Sequence, residues 1–392
     1  LQQAMDSLLI ACTLTLLVPY VLFPQFMRWL APGNPEPTDL TDPNEWPTVD
    51  ILFAAYNEVA VLDRKLQSML DVDYPMDKLR ILVGSDCSDD GSEEILESFA
   101  QKHDNLQWVP MSKRSGKSAI INHLVNLSKG DVIIGTDANI FFDRQAVKAM
   151  VRAMMSDSAI DMVGGRLVYH GMRQAPETGG IAMEEKSYVD WENQLKSREG
   201  RLFGTAMGVE GGCYAIRRSA FVHIPHGTLM EDFFETMTCL KRGRKVVMAM
   251  DAICSEDVSH DATLEFKRKI RISQGNWQNL VRFWPVLFTK TFPLGMVFLC
   301  HKVLRWLSPF VALVAWGHLI TINAWWLTAI LVVIPHETLP SWLIQGMGPM
   351  AKLHRSFSHF VQMHIALLAG FFRYLRRRET GVWQPTTRRT HE

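Results

Sequence analysis

Residues 135–143 read GTDANIFFD and follow the apolar stretch DVII, so Asp137 and Asn139 stand where a buried strand runs out. Neither residue helps packing. Oxygen-bearing side chains at a strand end suit a metal ion or a charged ligand in α/β folds. The same residues also favour a plain turn. Two further polar clusters hold equivalent places, Asn57 and Glu58 after VDILFAAY and Asp86 after LRILVGS. Lys117, in KRSGKS, is positioned either to neutralise a phosphate or to sit solvated at a helix start. The run is no phosphate loop, because GxxxxGK[ST] needs glycine at position 111, where Met111 stands. No GxGxxG follows the first strand, which argues against a dinucleotide site.

The elements that must position these groups are visible as a repeat. VDILFAAYNE precedes the helical pattern VAVLDRKLQSMLDV, LRILVGSDCSDDGS precedes EEILESFAQKH, and DVIIGTDAN is the third strand with a polar end. Repeated βα units imply an α/β fold with a largely parallel sheet, whose ligand site lies at the strands' carboxyl ends. The three polar clusters therefore collect on one edge. A structural turn does not require three acidic partners.

Lys+Arg and Asp+Glu balance at 41 each in 392 residues, so charge points to no nucleic-acid partner. Apolar residues are concentrated instead. Ser7 to Met27 carries no charge and spans about 30 Å as a helix, the thickness of a bilayer core. No Lys or Arg precedes it, unlike a signal peptide, and Arg28 follows it, which directs the next domain to the cytoplasm. Pro19 and Pro24 interrupt the run, which leaves a buried core helix as the alternative. A second uncharged run, LSPFVALVAWGHLITINAWWLTAILVVI, reads as one tilted span or two short ones broken near Asn323. HFVQMHIALLAGFFRYLRRR ends in a basic cluster that reads as cytoplasmic. The six cysteines form no CxxC pair or zinc spacing, which fits a reduced compartment better than a disulfide framework. His354 and His359, at i,i+5, do not share a helix face and read as interfacial residues.

AAYNE, SDCSDDGS, GKSAIIN, TDAN, GGCYAIRR, MEDF and QGNWQ, in this order, resemble the membrane-bound inverting glycosyltransferases of family 2, the group of cellulose, chitin, hyaluronan and poly-N-acetylglucosamine synthases. The resemblance covers roughly Val49 to Leu280. It implies a GT-A α/β domain that binds a nucleotide sugar, usually a UDP-sugar, with Mg²⁺ or Mn²⁺. The expected organisation is a transmembrane helix over 1–30, a Pro-rich linker over 31–47 and a cytoplasmic GT-A domain over 48–284. An interfacial amphipathic helix over 285–306, transmembrane helices over 307–376 and a basic cytoplasmic tail over 377–392 complete it.

The resemblance also implies roles. Ala54, Ala55, Tyr56 and Glu58 map to the nucleotide loop, Asp86 to the acid that contacts the base, and Lys117 to the lysine near uracil and phosphate. Asp137 and Asn139 take the DxD positions and ligate the cation, with Asn139 supplying one negative charge less. Asp232 maps to the catalytic base, preceded by Glu231, although acids also simply open helices. Gly211 and Gly212 map to the acceptor segment, where glycine lets backbone approach a sugar, or to a tight turn before a helix. QGNWQ keeps Gln274 and Trp277 of the acceptor motif QxxRW but loses its arginine and spacing; Trp277 is then a stacking platform, with Arg268 and Arg271 left for the diphosphate.

That departure, with few membrane segments, puts processive polymer synthesis in doubt. Three readings stand: transfer to a growing cell-surface polysaccharide, transfer of one sugar to a polyprenyl- or other lipid-linked acceptor, and a non-catalytic nucleotide-binding membrane scaffold. The expected setting is the inner membrane, multi-pass, with the bilayer, a homo-oligomer or a partner membrane subunit as companions.

Overall fold

The computed structural model describes residues 2–33, 40–170, 179–257, 262–321, 339, 348 and 350–376. Part of the expected linker, the apolar run beyond Thr321 and the basic tail lie outside the described residues. Eight strands form one sheet: β1 (Val49–Ala55), β2 (Leu79–Ser85), β3 (Leu106–Pro110), β4 (Val132–Thr136), β5 (Ile140–Phe142), β6 (Ile160–His170), β7 (Cys213–Arg217) and β8 (Lys245–Asp257). Their order is β3-β2-β1-β4-β7-β6-β8-β5. β3, β2, β1 and β4 are mutually parallel, as the repeat predicts. The other half corrects the expectation of a largely parallel sheet, because β7 runs antiparallel to β4 and β6, and β5 runs antiparallel to β8.

All seven residues of β1 are buried, and strand alternation sends them into two cores. Val49, Ile51, Phe53 and Ala55 pack with Leu62, Leu66 and Met69 of the helix Val59–Leu70. Leu52 and Ala54 face the opposite layer, with Ile120 and Leu124 of the helix Lys117–Leu127. That second core continues through Phe233 and Phe234 to Phe298 and Trp306, and it also takes in Phe23 and Met27. The apolar flanking segments are thereby docked on that second layer.

Numbering the helices that frame the site in chain order, α1 (Gln2–Leu17) passes through a π-turn at Val18–Leu22 into α2 (Phe23–Leu30), so the prolines are absorbed without ending the helix. α3 (Val59–Leu70), α4 (Ser92–Ala100), α5 (Lys117–Leu127) and α6 (Ala146–Met155) flank the parallel strands, and α7 (Gly179–Phe203) and α8 (Glu231–Lys241) follow. α9 (Ala262–Phe283) packs against the last long helix. The single amphipathic helix expected over 285–306 is instead broken into α10 (Val286–Thr289), π-helical turns at Thr291–Gly295 and Phe298–Val303, and the start of α11 (Leu304–Thr321). Three of its basic residues, His301, Lys302 and Arg305, turn inward, while Lys290 is exposed. His301, 0% exposed, lies between Glu199 (2.6 Å) and Glu192 (3.0 Å) of α7, and Lys302 and Arg305 also pair with Glu192. Buried carboxylates require such partners, so these three residues face α7, while Phe288 and Phe292 of the same segment are exposed. α12 (Met350–Leu375) closes the described chain, with Gly370 pressed against Ser273 of α9.

Cys213 and Cys254 are paired, with sulfurs 2.20 Å apart, a disulfide that the reading of a reduced compartment did not anticipate. They belong to β7 and β8, which flank β6. The sulfurs meet over Gly165 of β6, where a Cβ would stand 2.2 Å from Cys213 Sγ. Among the described residues, Ser7–Leu30 and Thr291–Thr321 are the helical stretches long and apolar enough to cross a membrane.

Candidate active site

Topology brings the polar groups together. β1, β2 and β4 are parallel, so Tyr56 to Glu58, Asp86 and Asp137 leave the sheet on one edge. β7 is antiparallel, and Cys213 pairs with Thr136, so Gly211 and Gly212 arrive at the same edge from the opposite direction. They open a strand, not a helix. The register of β5 on β8 sets Ile140 opposite Glu256 and adds that carboxylate to the edge. Asn57 and Cys87, with φ of 52° and 61°, hold the left-handed conformation that only a few per cent of non-glycine residues adopt. Asn57 exchanges hydrogen bonds with Asp89, and Glu58 N–H and Val59 N–H donate to Ser92 and Asp90, which laces the loops after β1 and β2 together.

Ala54 and Ala55 are buried strand residues, and Tyr56 carries the Arg114 guanidinium over its ring at 3.1 Å from the centroid. Asp86 is fully buried. Its carboxylate accepts Ser115 N–H (2.6 Å), Gly116 N–H (3.1 Å) and Arg114 Nε–H (3.2 Å). These bonds make Asp86 the anchor of the loop that presents Lys117.

Lys117 is the hub. Its ammonium contacts Asp137 Oδ1 at 2.6 Å and pairs with Glu231 Oε1. Burial would lower its pKa, yet Asp137 and Glu231 hold it well above the usual lysine value. Burial would likewise raise Asp137, but Lys117, Arg268 and Lys65 keep it below the usual carboxylate value. Arg271 lies in the field of Glu231 and Asp137, with burial depressing its own pKa. Asn139 donates its amide to Glu256 Oε1 at 2.6 Å, so its carbonyl oxygen lies on the other side of the amide.

For a hard cation the turn offers two oxygen donors, the Asp137 carboxylate and the Asn139 carbonyl. The described residues contain no group of three His, Cys, Asp or Glu able to hold a metal alone. The donor set fits a cation that brings further oxygens with a diphosphate.

Asp232 occupies the first turn of α8 and accepts Phe233 N–H at 2.8 Å. Burial, then the neighbouring Glu231, pushes its pKa up to about 7, with Glu210 adding to the rise. A Cβ on Gly211 would stand 3.1 Å from Asp232 Oδ2, so glycine there keeps the carboxylate uncrowded. Asp232 opens into a cavity of about 630 Å³ whose other walls include Tyr188 and Trp191 of α7, Arg305 and Trp306 of α11, Phe360 of α12 and Tyr20 of the π-turn. Lys196 and Glu210, 2.5 Å apart, also line it. Sequence reasoning missed both. Glu210 stands beside the glycine pair, and Lys196 carries no local signal.

Trp277 is not at this cavity. It is 8% exposed and packs against Phe371 (4.8 Å) and Phe310 (5.8 Å), which corrects the stacking role expected for it. Gln274 is buried on the same helix and is likewise absent from the cavity wall. QGNWQ braces the loop that leads into α8 instead. Gly275 lets α9 approach Met230, where a Cβ would meet Cγ at 2.5 Å, and Gln278 bonds Leu229 N–H and Gly227 O.

Residues 50–224 match the family model described as Glycosyl transferase family 2. The probable glycosyltransferase YdaM of Bacillus subtilis is 28% identical over 62% of this chain and 59% of its own length. Cellulose synthase 2 of Novacetimonas hansenii is 24% identical over 71% of this chain and 17% of its own length. The chain thus spans less than two thirds of either relative. A mannosyltransferase of Pyrobaculum calidifontis, solved with GDP-Man and Mn²⁺, superposes with a TM-score of 0.68 at 19% identity, covering 96% of this chain and all of the other. The mixed sheet is a GT-A sheet, and the match to glycosyltransferase family 2 covers its residues 50–224.

Proposed function

We propose that the protein is a membrane-bound, inverting glycosyltransferase that moves a sugar from a nucleotide diphosphate sugar, a UDP-sugar in our reading, to a hydroxyl of a growing cell-surface glycan. One observation carries the reading: Asp232, a carboxylate with a pKa of about 7, stands between the cationic Lys117 edge and a cavity walled by the flanking helices. A base works best when its pKa lies near the operating pH. Asp232 takes the acceptor hydroxyl's proton as the oxygen attacks the anomeric carbon. The new C–O bond forms as the bond to the diphosphate breaks, and the electron pair leaves with the diphosphate.

The nucleotide loop comprises Ala54 to Glu58, with Asp86 holding Lys117 in place. Lys117, Arg268 and Arg271 supply positive charge around Asp137, where the leaving diphosphate gathers negative charge. Asp137 and Asn139 would hold Mg²⁺ or Mn²⁺, which would supply positive charge against the negative charge of the diphosphate. Gly211 and Gly212 border the acceptor, and Lys196 and Glu210 offer it hydrogen bonds.

Large apolar side chains exposed on the flanking helices, such as Leu14, Trp29, Trp316 and Phe372, support a seat in the bilayer. The domain then faces the cytoplasm at the inner membrane, with Arg28 on its side of the first span. The second reading, a lipid-linked acceptor, is favoured by the cavity wall, because Tyr20, Trp306 and Phe360 belong to those same helices.

Membranes containing the protein are incubated with a panel of labelled nucleotide sugars, with EDTA and after return of Mg²⁺ or Mn²⁺. One donor is expected to yield labelled product, to fail under EDTA and to recover with the cation. Nucleotide binding without turnover of any donor would leave the scaffold reading standing, and EDTA-insensitive transfer would remove the metal from the Asp137 turn.

A further inference from the structure

Asn139 departs from the second acid of a two-carboxylate metal turn, and an amide supplies no negative charge. The missing charge is nearby. Glu256, 4% exposed, accepts the Asn139 amide at 2.6 Å, and 117 residues separate the two in the chain. The contact follows from sheet register, since Ile140 of β5 pairs with Glu256 of β8. An amide whose N–H is held by a carboxylate has its carbonyl turned the opposite way and made more basic. Outer partners orient and charge metal-bound histidines by the same effect.

We propose that Glu256 is the positioning residue of the metal–diphosphate site: it fixes the Asn139 carbonyl toward the cation and restores the charge that asparagine lacks. The proposal rests on the reading of Asp137 and Asn139 as cation ligands. Arg268, 3.9 Å from Glu256 and also within the field of Asp137, ties the pair to the cationic side of the site.

Charge bookkeeping makes a distinctive prediction. Asn139→Asp would set a second carboxylate against Glu256 at the same short separation, where two like charges do not both ionise. The substitution that superficially completes the motif therefore weakens the site. Adding Glu256→Gln removes the clash and leaves the charge on residue 139.

The test is Mn²⁺ binding to the purified full chain in detergent, read by the loss of the free-ion electron paramagnetic resonance signal, with UDP and in parallel with GDP. Melting temperature checks the fold of each variant. Wild type is expected to bind and Asp137→Ala to lose binding. Glu256→Ala should weaken it by about 10- to 100-fold, the usual cost of removing an outer partner. Glu256→Gln, nearly isosteric, keeps an acceptor for the amide and should lose less. Asn139→Asp should bind worse than wild type, and Asn139→Asp/Glu256→Gln should regain most of the affinity. Glu256→Ala binding within about twofold of wild type, while Asp137→Ala fails, overturns the role of Glu256 alone. Equal binding by Asn139→Asp with and without Glu256→Gln does the same. Absence of Mn²⁺ binding by wild type with either nucleotide overturns this inference together with the metal reading.

Discussion

Replacing Asp232 with asparagine tests the chemistry most directly. Asparagine fills the same space beside Gly211, and its oxygen keeps the bond from Phe233 N–H, so donor affinity should change little. What is lost is the proton acceptor, worth about 10²- to 10⁴-fold in rate. The pH dependence gives an independent magnitude. With a pKa of about 7, roughly a tenth of Asp232 is ionised at pH 6 and roughly nine tenths at pH 8, so wild-type kcat/KM should rise about tenfold across that interval. Glu210 contributes to the elevated pKa, so Glu210→Gln should shift the rising limb to lower pH. The assay is the initial rate of labelled-sugar transfer between pH 5.5 and 8.5, with nucleotide affinity measured separately. Activity in Asp232→Asn within about tenfold of wild type, or a rising limb that survives the substitution, would refute the assignment.

Two further predictions follow from buried charge and from cavity shape. Lys65, 0% exposed, donates to Thr136 Oγ1 at 2.8 Å and to Ile140 O, and burial brings its pKa down to about 7. The unfolded chain keeps this proton up to about pH 10.4, so the folded protein gains stability as pH rises between those values, a gain lost as pH falls toward 7. Lys65→Met should remove that slope, and a melting-temperature gap between variant and wild type that stays constant from pH 7 to 10 contradicts the burial argument. The aromatic wall of the cavity beside Asp232 favours short products on a lipid acceptor, or polymer made only with a partner or by self-association. Long polymer inside liposomes that contain only the monomeric chain and donor sugar would count against that expectation.

The amino-acid sequence determined the parallel half of the sheet and the edge where the polar residues collect. Runs such as VDILFAA and LRILVGS bury both faces, and their polar ends follow at once, so local pattern suffices to place Glu58, Asp86 and Asp137. The ordered motifs likewise singled out Lys117 and Asp232. What the pattern does not encode is which distant side chains meet once the strands pair. The antiparallel entry of β7 brings Gly211 to Asp232, and the register of β8 delivers Glu256 to Asn139. Folding of α7 against the 298–305 segment turns His301, Lys302 and Arg305 from an apparent membrane-facing stripe into partners of Glu192. Trp277 reads the same from either side in sequence, and only the packing of α9 against α11 and α12 sends it among Phe310 and Phe371, away from the cavity. Periodicity reports that a residue has a buried side; the identity of its neighbour there is a long-range contact, decided by sheet order and helix docking.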